Sequence, residues 1–358
     1  MTQASTRGRI ASVQMLRFLA AFAVLLGHVE IFTYHTGQYL GITLNRPPLI
    51  SHSAFGVDLF FAISGFVMII SSERLFGSAD GRRTFLLRRL LRIVPLYWLA
   101  LAFMVLWGWR FGPSADTATA TSAFAFLPHA SNIAHGRMVP PLEVGWTLNY
   151  EMLFYVLFAL CLAATAQATA RRIAVLLGTM VLIGTATPLP RPLAYWSDPI
   201  VIEFLGGIAI ALLYRKGLCL PSLMRLAMLA VAILLVLAPL QDVPGSQGGL
   251  PRLLAWGVAG WLVLAAAVLG PLRLPLEQWW NRGGDVSYAL YLVHMPLLTV
   301  VQFVWRHFRW AYGPVEATAF ALSTTLASVV LAALVHRWIE RPMLAARSRF
   351  TKPHPIST

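Results

Sequence analysis

Apolar stretches of helix length recur along almost the whole chain and are separated by short polar segments. A run of about 20 apolar residues is long enough to cross the hydrocarbon core of a bilayer as a helix. Only helices and closed barrels satisfy every backbone polar group within lipid. We place ten such stretches, at residues 15–34, 54–72, 93–111, 146–166, 173–190, 199–214, 223–240, 252–270, 286–305 and 317–338. The pattern predicts an all-α polytopic integral membrane protein with about ten transmembrane helices.

The composition supports this fold class and a single membrane domain. The 358 residues are 58% hydrophobic and 12% charged, about half the charged fraction of a typical soluble domain. We predict a transmembrane domain over 15–342, a cytoplasmic N-terminal segment over 1–14 and a disordered cytoplasmic tail over 343–358. The net charge of +14 does not indicate nucleic-acid binding, because the basic residues fall between the apolar runs.

The distribution of these basic residues predicts the orientation in the membrane. With a cytoplasmic N-terminus, 21 of the 28 Lys and Arg residues fall in inner segments and seven in outer ones. Arg252, at the start of the eighth span, counts among the outer charges. Cytoplasmic loops are enriched in Lys and Arg. Because the number of spans is even, both termini are expected in the cytoplasm, and the longer loops 35–53 and 112–145 are expected outside.

The first apolar run carries two ionisable side chains, Arg17 and His28, with ten residues between them. Eleven helical steps make about three turns, so the two side chains share a face and lie about 16 Å apart along the axis. Ionisable residues inside a bilayer usually face the interior of the helix bundle, because lipid does not solvate them. The pair predicts a polar path, with Arg17 nearer the cytoplasm and His28 in the outer half.

Two carboxylates are expected at the depth of His28. Asp58 lies early in the second span and Glu151 early in the fourth, and both spans enter from outside. A neutral histidine oriented by a carboxylate can act as a general base toward a hydroxyl. We predict His28, Asp58, Glu151 and Arg17 as catalytic residues. The alternative is a set of buried hydrogen bonds that hold the helices together.

A cluster of arginines precedes the third span, in the segment FLLRRLLRIVPLYW. Arg88 and Arg92 are four residues apart and Arg89 and Arg92 are three apart, so neighbouring pairs share a helix face. Arginine pairs bidentately with phosphate, and this arginine cluster is expected to bind a polyphosphate at the cytoplasmic end of the polar path. The alternative is ordinary positive-inside topology with contacts to lipid headgroups.

Metal sites and resident cofactors are not indicated. Cys161 and Cys219 are far apart, and no CxxC, HExxH, GxSxG or P-loop motif occurs, so we expect no disulfide, no metal and no permanently bound cofactor. Two further polar residues are noted, with His294 placed in the inner half of the ninth span and Glu203 at the start of the sixth.

Six segments carry recognisable motifs in a fixed order: RIASVQMLRFLAAFAVLLGHV, FGVDLFFAISGFVM, FLLRRLLRIVPLYW, VGWTLNYEMLFY, VSYALYLVH and WIERP. Together they resemble the acyltransferase 3 family of bacterial integral membrane proteins, from about residue 10 to 345. The third and fourth segments are most similar to the exopolysaccharide acetyltransferase branch, of the succinoglycan type. The family's motif residues fall on Arg17, His28, Arg89, Arg92, Glu151 and His294.

The resemblance implies transfer of an acyl group, usually acetyl, from cytoplasmic acyl-CoA to an envelope carbohydrate at the bacterial inner membrane. It implies acyl-CoA and an envelope polysaccharide or lipid-linked oligosaccharide as partners, beside membrane lipids and proteins of polysaccharide biosynthesis. We assign His28 as the base, oriented by Glu151 or Asp58, and Arg17 to the donor or to developing oxyanion charge. The donor-binding set is Arg88, Arg89, Arg92 and His294.

The hypothesis is therefore a membrane-embedded O-acetyltransferase that transfers acetyl from acetyl-CoA to a sugar hydroxyl of an exopolysaccharide or its lipid-linked precursor. A transporter or flippase of a lipid-linked saccharide would use the same polar groups as a translocation path. An acyltransferase acting on a lipid or a small-molecule acceptor is a second alternative.

Overall fold

The structure is a computed structural model that describes residues 3–42, 52–237 and 249–350, with side chains described over 11–42, 52–237 and 249–345. The regular structure in those ranges is helical throughout. Within them, eight helices are long and apolar enough to cross a membrane. Phe55–Ser71 and Ser222–Val236 are shorter apolar helices. The prediction of an all-α polytopic membrane protein is confirmed.

The helices are numbered along the chain by their observed bounds. They are α1 Gln3–Tyr39, α2 Phe55–Ser71, α3 Gly81–Phe111, α4 Thr117–Phe124, α5 Trp146–Cys161, α6 Ala166–Ala186, α7 Arg191–Trp196, α8 Glu203–Arg215, α9 Ser222–Val236, α10 Gly249–Val268, α11 Glu277–His307, α12 Pro314–Val335 and α13 Arg341–Phe350. A π-helical turn interrupts α10 at Leu253–Gly257, and another joins α12 to α13 at His336–Glu340.

A described helix covers most of each predicted apolar span, and several helices extend well beyond the apolar run. Helix α1 begins at Gln3 rather than at residue 15, and α11 begins at Glu277 rather than at 286. Both added segments contain Gly and other weak helix formers, and they pack against each other where Gly284 meets Gln14. Residues 43–51 of the predicted outer loop, 238–240 of the seventh predicted span and 351–358 of the predicted tail lie outside the described residues.

The first part of the segment predicted as a tail, residues 343–350, is helical in the structure. Helix α13 continues to Phe350. Its sequence RPMLAARSRF is rich in Ala, Leu, Met and Arg, which favour the helical state, and its only proline follows directly on the π-helical turn that joins α13 to α12. The helix therefore persists after the apolar span has ended.

Helix α1 packs lengthwise against α11, and glycine allows a close approach where they meet. A Cβ placed on Gly284 would lie 2.5 Å from Cβ of Gln14 and 2.7 Å from its carbonyl oxygen. Further along the same pair, Gln302 donates hydrogen bonds to the carbonyl of Phe32 and the hydroxyl of Thr36, both at 3.1 Å. The contact aligns the polar face of α1 with the polar face of α11.

Helices α2 and α8 approach each other just as closely through a pair of glycines. A Cβ on Gly65 would lie 2.0 Å from the carbonyl oxygen of Phe204, and one on Gly207 would lie 1.9 Å from that of Ala62. Small residues allow helix backbones to touch in membranes. This contact places Asp58 of α2 on the side of the bundle that Glu203 of α8 occupies.

Candidate active site

A cavity of about 330 Å³ lies among α1, α2, α3, α5 and α11, and its lining combines apolar walls with charged side chains. Arg17 contributes from α1, Arg89 and Arg92 from α3, and Glu151 from α5. Charged groups within a membrane bundle indicate a substrate or ion pathway. Three cations and one carboxylate around one cavity are suited to an anionic ligand.

Arg17 is held in place by a chain of hydrogen bonds that joins two helices. Its Nη1 donates to Oε1 of Gln14, one turn earlier, at 2.8 Å. Nε2 of Gln14 in turn donates to Oδ1 of Asp285 on α11, at 2.9 Å. The amide of Gln14 therefore links the guanidinium to a carboxylate without neutralising it directly. Arg17 is positioned at the cavity with its charge available.

Arg89 and Arg92 lie one turn apart on α3, and both line the cavity. Arg89 donates a short hydrogen bond to the hydroxyl of Ser71, and its guanidinium lies 5.6 Å from the ring centroid of Phe85 and 6.0 Å from that of Tyr155. Stacking on aromatic faces keeps a guanidinium extended and fixes its plane. Arg88, which the sequence grouped with them, is partly buried and is not among the residues that line the cavity.

Glu151 lies on the cavity wall with the arginines. Its Oε1 accepts hydrogen bonds from the hydroxyl of Ser64, at 3.1 Å, and from that of Tyr155, which is a short contact. Two hydroxyl donors fix the carboxylate on α5 against α2. The predicted contact with His28 is not formed: among the described residues, Oε1 of Glu151 bonds to these two hydroxyls and His28 bonds to Val24 and His294.

His28 contacts His294 across the α1–α11 interface. Nδ1 of His28 lies 2.8 Å from the carbonyl oxygen of Val24 and 3.4 Å from Nε2 of His294. The two ring centroids are 5.1 Å apart. The prediction that His294 lies in the inner half of its span, away from His28, is wrong. The parallel packing of α1 and α11 brings the two rings to the same level, and His294 is not among the residues that line the cavity.

Tyr291 connects the histidine pair with the cavity. Its ring lines the cavity and lies 6.2 Å from the ring of His294, one turn later on α11. Its hydroxyl is 2.8 Å from that of Thr147 and 3.1 Å from the carbonyl oxygen of Val144. The phenol is thus fixed from α5 and stands between the cavity with its arginines and the two imidazoles.

Asp58 has a different partner from the one predicted. Both of its carboxylate oxygens accept hydrogen bonds from Arg252 on α10, from Nε at 2.9 Å and from Nη2 at 2.8 Å. The guanidinium also lies over Trp256, at 5.1 Å, and Trp146, at 5.7 Å. Asp58 and Arg252 are both fully buried. The prediction that Asp58 is one of two candidates to orient His28 is wrong, because both oxygens of Asp58 bond to Arg252 and no contact joins Asp58 to His28 among the described residues.

Sequence reasoning missed three residues that shape the site: Gln14, Asp285 and Arg252. Arg252 was counted as an outer charge, although an arginine at the start of an apolar run and an aspartate at a similar depth in another run are candidates for a buried pair. Gln14 precedes Arg17 by one helical turn, a spacing at which side chains interact. The contact between Gln14 and Asp285 joins residues distant in sequence, and no local pattern indicates it.

Comparisons with known proteins agree with this architecture. A family model described as an acyltransferase domain matches residues 10–337. The chain is 31% identical over 301 residues to "Exopolysaccharide production protein ExoZ" of Rhizobium meliloti (strain 1021), a match that covers 81% of this chain and 89% of that protein. No solved structure matches the chain. The matched region contains the cavity, its arginines and both histidines, and the chain belongs to the acyltransferase 3 family of membrane acyltransferases.

Proposed function

We propose that this protein is an O-acetyltransferase that transfers acetyl from acetyl-CoA to a sugar hydroxyl of an exopolysaccharide or its lipid-linked precursor. The observation that carries the proposal is the arrangement of Arg17, Arg89 and Arg92 around one cavity, with the His28–His294 pair beyond its Tyr291 wall. A donor with phosphates at one end and a thioester at the other matches that arrangement.

Acetyl-CoA enters the proposal as a substrate with two recognisable parts. Its phosphates pair with the guanidinium groups of Arg89 and Arg92, whose geometry suits bidentate phosphate contacts. Its pantetheine arm passes Arg17 toward His28. On one helix these two residues are separated by about 16 Å, a distance comparable to the reach of an extended pantetheine arm, and α1 is continuous over both of them.

In the proposed reaction the proton of the sugar hydroxyl is taken up by one atom, Nε2 of His28. The oxygen of the sugar hydroxyl attacks the thioester carbonyl, while Nε2 of His28 takes the hydroxyl proton. The tetrahedral adduct collapses, the carbon–sulfur bond breaks, and the proton passes from His28 to the sulfur, giving the acetyl ester and CoA. Arg17, about 16 Å from His28 along α1, acts on the donor rather than on the reacting carbonyl, by pairing with its anionic part at the cavity.

The acceptor class is supported by the similarity to the exopolysaccharide production protein of Rhizobium meliloti. The orientation is supported by the excess of Lys and Arg in one set of loops. In the proposed orientation the termini and the arginine end of the cavity face the cytoplasm, where acyl-CoA is made. We accordingly propose a multi-pass location in a bacterial inner membrane, with His28 on the outer side of Arg17.

The test is transfer of labelled acetyl from acetyl-CoA to polysaccharide and lipid-linked oligosaccharide fractions by the purified protein in lipid nanodiscs. His28→Ala is expected to reduce transfer by about 100-fold or more, the usual contribution of a general base. His35→Ala is the matched control, since it removes an exposed histidine from the same helix. Transfer at the wild-type rate by the His28 variant would exclude His28 as the base.

The same assay separates the alternatives. A transporter or flippase would move a lipid-linked saccharide between leaflets and transfer no label. An acyltransferase with another acceptor would label a lipid or small-molecule fraction and leave the carbohydrate unlabelled. Competition between unlabelled acyl-CoAs and labelled acetyl-CoA identifies the preferred acyl group. If the natural donor carries a longer chain, the longer acyl-CoA should suppress labelling at a lower concentration than unlabelled acetyl-CoA does.

A further inference from the structure

The two histidines that meet between α1 and α11 are bound in the same way by their own helices. Nδ1 of His28 lies 2.8 Å from the carbonyl oxygen of Val24, and Nδ1 of His294 lies 2.8 Å from that of Leu290. A carbonyl oxygen can only accept a hydrogen bond, so Nδ1 of each neutral ring carries the hydrogen. Nε2 of each ring therefore holds a lone pair.

The contact between the rings joins the hydrogen of one to the lone pair of the other. Nε2 of His294 lies 3.4 Å from Nδ1 of His28, so the N–H of His28 is shared between Val24 and His294. Nε2 of His28 points to the other side of its ring and is left as its basic atom. The ring of His28 is partly exposed, whereas that of His294 is fully buried.

Resting on the proposed function, we propose that His294 is a positioning residue for His28, in the place that a carboxylate takes in other acyltransferases and hydrolases. Its Nε2 lone pair holds the Nδ1–H tautomer of His28 and its ring orientation. When Nε2 of His28 takes the proton of the acceptor hydroxyl, the cationic ring keeps both acceptors, Val24 and His294, at Nδ1. His294 itself neither gains nor loses a proton in the cycle.

The surroundings of the pair explain why a neutral partner serves here. Asp58 is engaged by Arg252, and Glu151 is engaged by Ser64 and Tyr155. Glu143, in the turn before α5, forms an ion pair with Arg137 at 3.7 Å. A buried carboxylate beside His28 would have to be desolvated, which is costly in an apolar setting. An imidazole supplies the same acceptor without a charge.

The experiment compares two replacements of His294 in the full-length protein in nanodiscs. His294→Leu fills the space without an acceptor, and His294→Gln supplies a carbonyl oxygen that can accept the hydrogen bond. We expect kcat for acetyl transfer to fall roughly 10- to 100-fold in the Leu variant, as for a misplaced catalytic group, with KM for acetyl-CoA unchanged. The Gln variant should recover a substantial part of kcat. Thr299→Val, which removes another polar group from α11, should leave both constants unchanged.

A second measurement tests the hydrogen bond without relying on turnover. In protein labelled with ¹⁵N in the histidine rings and reconstituted in bilayers, His28 should show a protonated Nδ1 and an unprotonated Nε2. The signal is assigned by its loss in His28→Gln, and it should shift or split between tautomers in His294→Leu. If wild-type protein transfers no acetyl, the proposed function fails while these spectra still decide the contact. Equal kcat in the Leu and Gln variants, or an unchanged His28 signal in His294→Leu, would overturn the proposal.

Discussion

Two groups of charged side chains lie inside the helix bundle, and they differ in what surrounds them. Arg17, Arg89 and Arg92 face a cavity, whereas Asp58 and Arg252 are fully buried against each other. Arg17 and Arg89 are anchored by the neutral side chains of Gln14 and Ser71 and keep their charge available for a ligand. The second group satisfies its charges internally. Burial and partner together, rather than charge alone, separate charged groups that face a cavity from charged groups that pair with each other between helices.

The comparison predicts the largest effect for breaking the buried pair. Arg252→Met alone leaves the carboxylate of Asp58 buried without its counterion, and removal of one partner of such a pair costs about 3–5 kcal/mol. We expect little monodisperse protein after detergent extraction and a strongly lowered melting temperature. Adding Asp58→Leu to Arg252→Met removes the orphaned charge and should restore much of the folded protein. An Arg252→Met variant with wild-type stability would contradict a structural role for the pair.

Substitution of the cavity arginines should have the opposite result to substitution of Arg252: acetyl-CoA binding is lost while the protein stays folded. A hydrogen bond to a charged group contributes about 1.5–3 kcal/mol, so Arg89→Ala combined with Arg92→Ala should weaken acetyl-CoA binding roughly 100-fold or more. The measurement is equilibrium binding of acetyl-CoA, with the melting temperature recorded in parallel. Arg110→Ala, at the far end of α3, is the matched control. Wild-type affinity in the double variant would return these arginines to a role in topology.

An Arg88 variant makes this test more specific, because the sequence grouped Arg88 with Arg89 and Arg92. Helical spacing puts Arg88 and Arg92 on neighbouring positions, but Arg88 is not among the residues that line the cavity. If lining the cavity determines the effect, Arg88→Ala should change acetyl-CoA affinity far less than Arg89→Ala. Equal effects would favour a diffuse positive field over specific contacts.

Sequence reasoning succeeded where one helix determines the geometry and failed where two helices must be placed relative to each other. The spacing of Arg17 and His28, and that of Arg89 and Arg92, follows from helical periodicity alone. The level of His294 depends on how far α11 is shifted along α1. The predicted starts of the two spans pair His294 with residue 23, five residues short of His28. Close packing at Gly284, which the sequence does not reveal, sets the actual register.

The same limitation applies to partners. Asp58 and Glu151 were placed at the level of His28 because the start of each span was taken as the membrane surface. Helices in membranes tilt and extend past the hydrocarbon core, so positions counted from predicted ends drift by several residues. In the structure Arg252 bonds to Asp58, and Ser64 and Tyr155 bond to Glu151. Residue type identified the polar groups, and packing chose among their partners.

Substitution of Gln14 should have an intermediate effect on acetyl transfer, because Gln14 acts on the cavity through Arg17. Gln14→Leu removes the link between Arg17 and Asp285 while leaving the arginine in place. We expect KM for acetyl-CoA to rise or kcat to fall by about 10-fold, in line with about 1.5 kcal/mol for one hydrogen bond to a charged group, with the melting temperature little changed. Gln14→Glu keeps an acceptor for Arg17 but places a second carboxylate beside Asp285, and should not restore activity. A Gln14→Leu variant with wild-type kinetics would show that Arg17 needs no such support.

Glu203 provides the smallest effect and the finest test of the comparison. It is fully buried, its carboxyl lies beside that of Asp58, and no described cation forms an ion pair with it. Because no cation binds this carboxyl, Glu203→Gln keeps its shape and removes only its titratable proton. We expect a change in melting temperature equivalent to less than about 1 kcal/mol, the range of substitutions away from a specific interaction, and unchanged acetyl transfer. A loss of stability as large as that of Arg252→Met would show that Glu203 stabilises the fold together with Asp58 and Arg252. A loss of acetyl transfer by a folded Glu203→Gln variant would instead add Glu203 to Arg17, Arg89 and Arg92 as a charged residue needed for activity.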